Sequence, residues 1–198
     1  MSEHANSDEA MLMGLAPFPD YAEGAAPLFL ILGSFPSRAS LAEKTYYAHP
    51  RNHFWRILGE IFSTDLEKAS LQEKAEFLRA HRLLIWDSIA ACRRTGSLDN
   101  AIHDAVPNDI AGLLERFPSI IAVGLNGLQS ASVFCARILP KPIKIPAIGQ
   151  FVSVEITKTR PRTVLVTRLP STSPVPTRVH RDGVSKIPSW TQFFTIHL

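Results

Sequence analysis

Short, uninterrupted apolar runs alternate along the chain with longer stretches in which apolar residues recur every three or four positions. The continuous runs lie at 28–32, 83–86, 120–125 and 164–166, and the second and fourth predicted strands reach one residue further, to Asp87 and Thr167. Runs of this length without polar alternation are what strands buried on both faces require. The periodic stretches predict helices. Phe54, Ile57, Leu58 and Ile61 make one face of a helix over 52–62, and Leu71, Ala75 and Leu78 line one over 70–80. Ile110, Leu113 and Leu114 belong to a helix over 109–117 that Asn108 can cap. Another helix follows Gly127 to about Ile138, and one containing Trp190, Phe193 and Phe194 closes the chain. Val152 to Ile156 reads as an edge strand or part of a hairpin, after a linker with Pro140, Pro142 and Pro146.

Buried strands separated by helices predict an α/β protein with a parallel sheet covered on both faces. The loops at 33–37, 87–99, 126–127 and 169–174 then share the carboxyl edge of the sheet, where ligands bind in open α/β folds. The connection 33–50 is long, and long loops in compact domains are often functional.

These loops hold the candidate chemistry. Tyr46, Tyr47, His49, Arg51, Asn52 and His53 form a dense polar and aromatic set. Such groups can stack on a base and hydrogen-bond its edge; an ordered loop whose tyrosines cover the core is the competing reading. Gly33-Ser34-Phe35-Pro36-Ser37 lacks the nucleotide-binding glycine patterns and reads as a tight strand exit. It contains no carboxylate. Asp87 could orient a catalytic group or pair with the Arg93-Arg94 dipeptide. Asn126 offers both donors and acceptors, suited to a base edge or to a helix cap. Ser171-Thr172-Ser173, held between Pro170 and Pro174, can clamp phosphates or form a surface turn. No GxSxG elbow is present, which argues against a serine hydrolase.

Composition narrows the class. The 198 residues, 45% hydrophobic and 20% charged, fit one soluble domain, expected over 17–198 after a disordered or loosely attached segment, 1–16. No apolar run approaches bilayer length, and the polar, acidic start is unlike a secretory signal. The expectation is a cytoplasmic protein with no membrane partner. The two cysteines, Cys92 and Cys135, lack metal-ligand spacing, and His49 and His53 lack a third ligand. Neither a metal nor another cofactor is expected. The net charge of +3 is small, but Lys158, Arg160, Arg162, Arg168, Arg178, Arg181 and Lys186 crowd the last quarter. That is a basic face for phosphates or a solvated strand edge.

Taken in order, GSFPS at 33–37, YYAHPRNHFW at 46–55, WD at 86–87, SLD at 97–99, NG at 126–127 and LPSTSP at 169–174 resemble the hypoxanthine-DNA glycosylase family of the uracil-DNA glycosylase superfamily. The AHP-x-N-x-FW portion is also similar to the mismatch-specific uracil glycosylases. The resemblance implies a three-layer α/β/α sandwich with a short central, mostly parallel four-stranded sheet. It implies a monomeric, monofunctional base-excision repair enzyme, nucleoid-associated through its substrate. That substrate would be double-stranded DNA carrying a deaminated base, chiefly hypoxanthine, with uracil and xanthine as further bases. Sister families position the attacking water with an Asp or Asn in the first motif. Phe35 stands there in this chain, and the resemblance transfers the role to Asn52. Gly33, Ser34, Phe35, Tyr47, His49 and Asn126 are then expected around the everted base. Ser37, Arg51, Pro170, Ser171, Thr172 and Ser173 are expected along the DNA. Val175-Pro176 replaces the Ala-Asn that often follows the last motif. Alternatives are a mismatch-specific uracil glycosylase, or a nucleic-acid-binding protein that has kept the fold without the chemistry.

Overall fold

The computed structural model describes residues 10–22, 25–156, 161–175 and 182–196. In chain order the elements are β1 (Leu12–Met13), β2 (Phe29–Gly33), α1 (Arg38–Glu43), α2 (Phe54–Phe62), α3 (Leu71–Ala80), β3 (Leu83–Asp87), β4 (Ile89–Arg94), β5 (Ile102–Pro107), α4 (Ile110–Arg116), β6 (Ala122–Asn126), α5 (Leu128–Val133), β7 (Phe151–Glu155), β8 (Thr163–Leu169) and α6 (Ile187–Phe194). The central sheet has the order β3-β2-β6-β8-β7. Its first four strands are parallel, as their continuous apolar runs predict. The sheet has five strands rather than the four expected, because β7 returns antiparallel to β8; a connection this short permits only that direction.

Helices cover both faces. Side chains of α4 and α5 pack with Leu30, Leu32, Val123, Leu125 and Val166 on one side. Those of α2, α3 and α6 pack with Phe29, Ile31, Ile85 and Leu169 on the other. Because side chains alternate along a strand, each strand feeds both cores. Local signals set the helix boundaries. Ser70 and Glu73 form a reciprocal capping box at the start of α3. Asp109 caps α4, its Oδ1 accepting from the Gly112 amide at 2.9 Å. Asn108 does not take that role: its amide is turned back to donate to the Asp87 carbonyl at 2.8 Å.

Two regions read as loops contain regular structure. Segment 33–50 carries α1, capped by Ser37. Segment 87–99 begins with β4, which joins β1 and β5 in a separate three-stranded antiparallel sheet. The segment expected to hang loosely is tied down over its described part. Gly14 donates to the Ala90 carbonyl at 2.7 Å. Trp86 Nε1 donates to the Leu15 carbonyl at 2.9 Å and the Tyr46 hydroxyl to the Ala16 carbonyl at 3.0 Å. Residues 1–9 lie outside the described residues. Among those described, no helix is long and apolar enough to cross a membrane.

Candidate active site

The parallel register brings Gly33, Asp87, Asn126 and Leu169 to one edge. Gly33 is paired with Asp87, and Asn126 with Leu169. Over this edge close two loops, the tyrosine-rich one after α1 and the proline-flanked turn after β8.

Asn126 joins them. Its Nδ2 donates to the Tyr47 hydroxyl at 3.1 Å and to Thr172 Oγ1 at 3.0 Å. Its Oδ1 accepts from the Thr172 amide at 2.9 Å. Both amide hydrogens are therefore committed, and one Oδ1 lone pair remains. Gly127, just after it, has φ +96° and lies so close to Ser171 that a Cβ would sit 3.0 Å from the serine Cβ. A side chain there would push the turn away.

Asn52 lies beside the same turn. Its Oδ1 accepts from the Phe54 amide at 3.0 Å, which fixes the side chain at the start of α2. The next residue, His53, donates its amide to the Thr172 carbonyl at 2.9 Å. Lys186 adds a second link. It is 2% exposed, and its Nζ donates to the Ser173 carbonyl at 2.9 Å and to His53 Nδ1 at 3.1 Å. An ammonium cannot accept, so Nδ1 does and the ring proton sits on Nε2. Burial, then the Lys186 charge, hold the imidazole below its ordinary pKa. Burial also pushes the Lys186 ammonium down.

Tyr47 is half-buried with φ +55°. A bulky residue enters the left-handed region only where its surroundings enforce it. Here one ring face stacks on Phe54, with centroids 3.8 Å apart and 14° between planes. Burial and the neighbouring Asp87 carboxyl raise the phenol's pKa, against the Asn126 hydrogen bond.

Gly33 leaves room for a carboxyl that pattern reading left in doubt. A Cβ at Gly33 would land on Asp87 Oδ1 and lie 3.3 Å from the Tyr47 hydroxyl. Asp87 is 4% exposed. Burial first, then the Asp99 charge, push its pKa up to about 8, while Arg94 pulls the other way. Asp99 itself accepts from Ser34 Oγ at 2.6 Å. Arg94 donates to the Pro36 carbonyl at 2.7 Å and lies over the Phe35 ring. The first loop thus contains no acid of its own but has two packed around it.

The remaining candidates scatter. Phe35 is buried in a satellite cluster with Ile89, Cys92 and Val133, so only its backbone lines the loop. Ser37 Oγ accepts from the Ser40 amide at the start of α1. His49 Nδ1 accepts from the Arg51 amide, and Arg51 is exposed. Pro170 is buried, its carbonyl accepting from Trp190 Nε1. Of the basic cluster, Lys158, Arg160, Arg178 and Arg181 lie outside the described residues. Arg162 donates to the carbonyls of Leu114, Phe117, Pro118 and Ile120, a structural clamp. Lys186 was visible in the sequence only as one of the basic cluster and Asp99 only as the end of the SLD motif, because a lone lysine or aspartate has no period or spacing to single it out.

A cavity of about 650 Å³, lined by Tyr21, Arg79 and Arg82 among others, lies at the opposite edge of the sheet. Both guanidinium groups there are bound to backbone carbonyls. Among the described residues no group of three His, Cys, Asp or Glu side chains could hold a metal ion.

No protein-family model matches the chain. Two curated relatives, each named hypoxanthine DNA glycosylase, are 38% identical over 101 residues; they come from Methanosarcina barkeri and Methanosarcina acetivorans. The match takes in 51% of this chain and 64% of each relative. A solution NMR structure of a candidate uracil DNA glycosylase from Methanosarcina acetivorans superposes with a TM-score of 0.64. It is 24% identical, with 93% of this chain and 97% of that one covered, and speaks for the fold alone. Over about half its length this chain is thus similar to proteins named hypoxanthine DNA glycosylase, and the similarity spans less than two thirds of each relative's own length.

Proposed function

We propose that the protein is a monofunctional DNA glycosylase that releases deaminated bases, hypoxanthine foremost, from double-stranded DNA. The observation that carries this reading is the hydrogen-bonded junction at Asn126. It ties the strand edge, the Tyr47 loop and the serine-rich turn to one another. The names of the two curated relatives favour hypoxanthine, and that of the structural neighbour motivates uracil as a second base.

In this reading the nucleotide is everted from the duplex, at a cost of a few kcal/mol that a mispaired base lowers. Tyr47, stiffened by Phe54 and Asn126, offers its ring to the base. The Ser171–Ser173 turn, fixed by Asn126, His53 and Lys186, meets the DNA backbone. Asn52, oriented by its bond to Phe54, aims a water at the sugar C1′. An amide is a poor base, so its contribution is positioning. As the glycosidic bond breaks, positive charge grows on the sugar beside the phosphates. Negative charge grows on the base, where amides of the Gly33–Phe35 loop can meet it.

A duplex with a single inosine, incubated with the protein and then treated with alkali, should break at that site. An intact strand at high protein concentration rejects the activity. Asn52→Ala should fold normally and lose about a hundredfold or more in rate. Tight, salt-dependent binding with no base released would favour the binding-protein alternative.

A further inference from the structure

The strand edge carries one buried acid that the mechanism above does not use. Asp87 ends β3 directly beside Gly33. Its Oδ1 and the Tyr47 hydroxyl flank the same point on that glycine. Its Oδ2 is buried and has no hydrogen-bond partner among the described residues. A structural carboxylate would have collected N–H or O–H donors there. The neighbouring acid differs, since Asp99 is served by Ser34 Oγ. The two carboxyls are thus treated unequally by one loop, an arrangement that separates acid from base roles in enzymes.

Building on the glycosylase reading, we propose that Asp87 works as a neutral carboxyl that donates a hydrogen bond from Oδ2 to the departing base. Its proton then faces the ring on which negative charge collects as the C1′–N bond breaks. The electron pair of that bond passes to the base, and water supplies the oxygen that C1′ gains. Asp87 stabilises the base by its hydrogen bond and need not give the proton up. The groups facing Asp87 agree with a neutral acid. Tyr46 and Tyr47 are phenols with raised pKa values, Asp99 is a second acid, and among the described residues Arg94 is the cation that opposes them. Burial first, then the Asp99 charge, bring the carboxyl to about 8 against the pull of Arg94, so at neutral pH it retains its proton. Gly33 is required because any side chain there would displace the Asp87 carboxyl.

The test is the single-turnover rate on a one-inosine duplex between pH 6 and pH 10 for the wild type, Asp87→Asn and Asp87→Ala. Far-ultraviolet circular dichroism and a thermal transition accompany each variant. The wild-type rate should fall about tenfold per pH unit above about pH 8. Asp87→Asn presents an N–H at every pH, so it should lose that alkaline fall and stay within about tenfold of wild type at pH 7. Asp87→Ala should be about a hundredfold slower at pH 7. An alkaline fall that persists in Asp87→Asn, or a wild-type rate in Asp87→Ala, overturns the inference. If Asp87→Ala fails to fold, the profile of Asp87→Asn decides alone. An inactive wild type would instead overturn the glycosylase reading, and this inference with it.

Discussion

At the scale of single residues, the carboxyl edge of the sheet gathers groups held away from their ordinary ionisation. Asp87 has a consequence for stability independent of any reaction. An unfolded chain releases this proton near 3.8, whereas the folded protein keeps it until about 8. Between those values the unfolded state binds fewer protons, so stability falls as pH rises and levels off above about 8. The full loss is on the order of 5 kcal/mol. Asp87→Asn should therefore raise the urea midpoint at pH 8.5 and leave it nearly unchanged at pH 4. Equal shifts at both pH values would contradict the buried neutral acid. Asn126 was legible as a site candidate because it ends a strand, and Tyr47 and Asn52 because they stand in a dense polar and aromatic motif between α1 and α2. Phe35 was legible only as part of a motif. That its ring points into a satellite core depends on Arg94 and Ile89, which adjacency in sequence cannot reveal.

Among elements, the critical joint is between β6 and the turn after β8. Asn126→Ala would leave the buried Thr172 amide without an acceptor and release the Tyr47 hydroxyl. At about 1–3 kcal/mol for an orphaned buried group, the variant should lose roughly 2–4 kcal/mol. Chemical denaturation measures this, and a loss below about 0.5 kcal/mol would mean the turn is held by other contacts. Most elements could be read from the chain. Short apolar runs marked β2, β3 and β6, and the apolar face of Leu71, Ala75 and Leu78 marked α3. Among the elements that escaped, with α1 and β5, was β4, where Ala91 and Cys92 are both buried and polar Arg93 and Arg94 follow, so no alternation appears. Its partner β1 has two residues, too few for any period. Position β7 was legible as an edge strand; its membership of the central sheet depended on pairing with β8, a long-range fact.

For the whole molecule, the positive charge visible in composition is partly internal. Arg162 closes carbonyls near the end of α4, and Lys186 is sealed beneath the serine-rich turn. Net charge therefore overstates what the described surface offers to phosphates. The small second sheet has a reach beyond its size. Through Leu15 and Ala16 the first described residues accept hydrogen bonds from Trp86 and Tyr46, neighbours of Asp87 and Tyr47. Anyone shortening the gene to begin at Pro17, where the domain is expected to begin, would strip the acceptors from an indole and a phenol. Such a truncated product should lose about 2–5 kcal/mol of unfolding free energy and unfold at a lower urea concentration, with tryptophan emission shifted to the red. Equal midpoints would show the leading strand to be dispensable. Cloning boundaries and affinity handles for this protein are best planned upstream of Leu12.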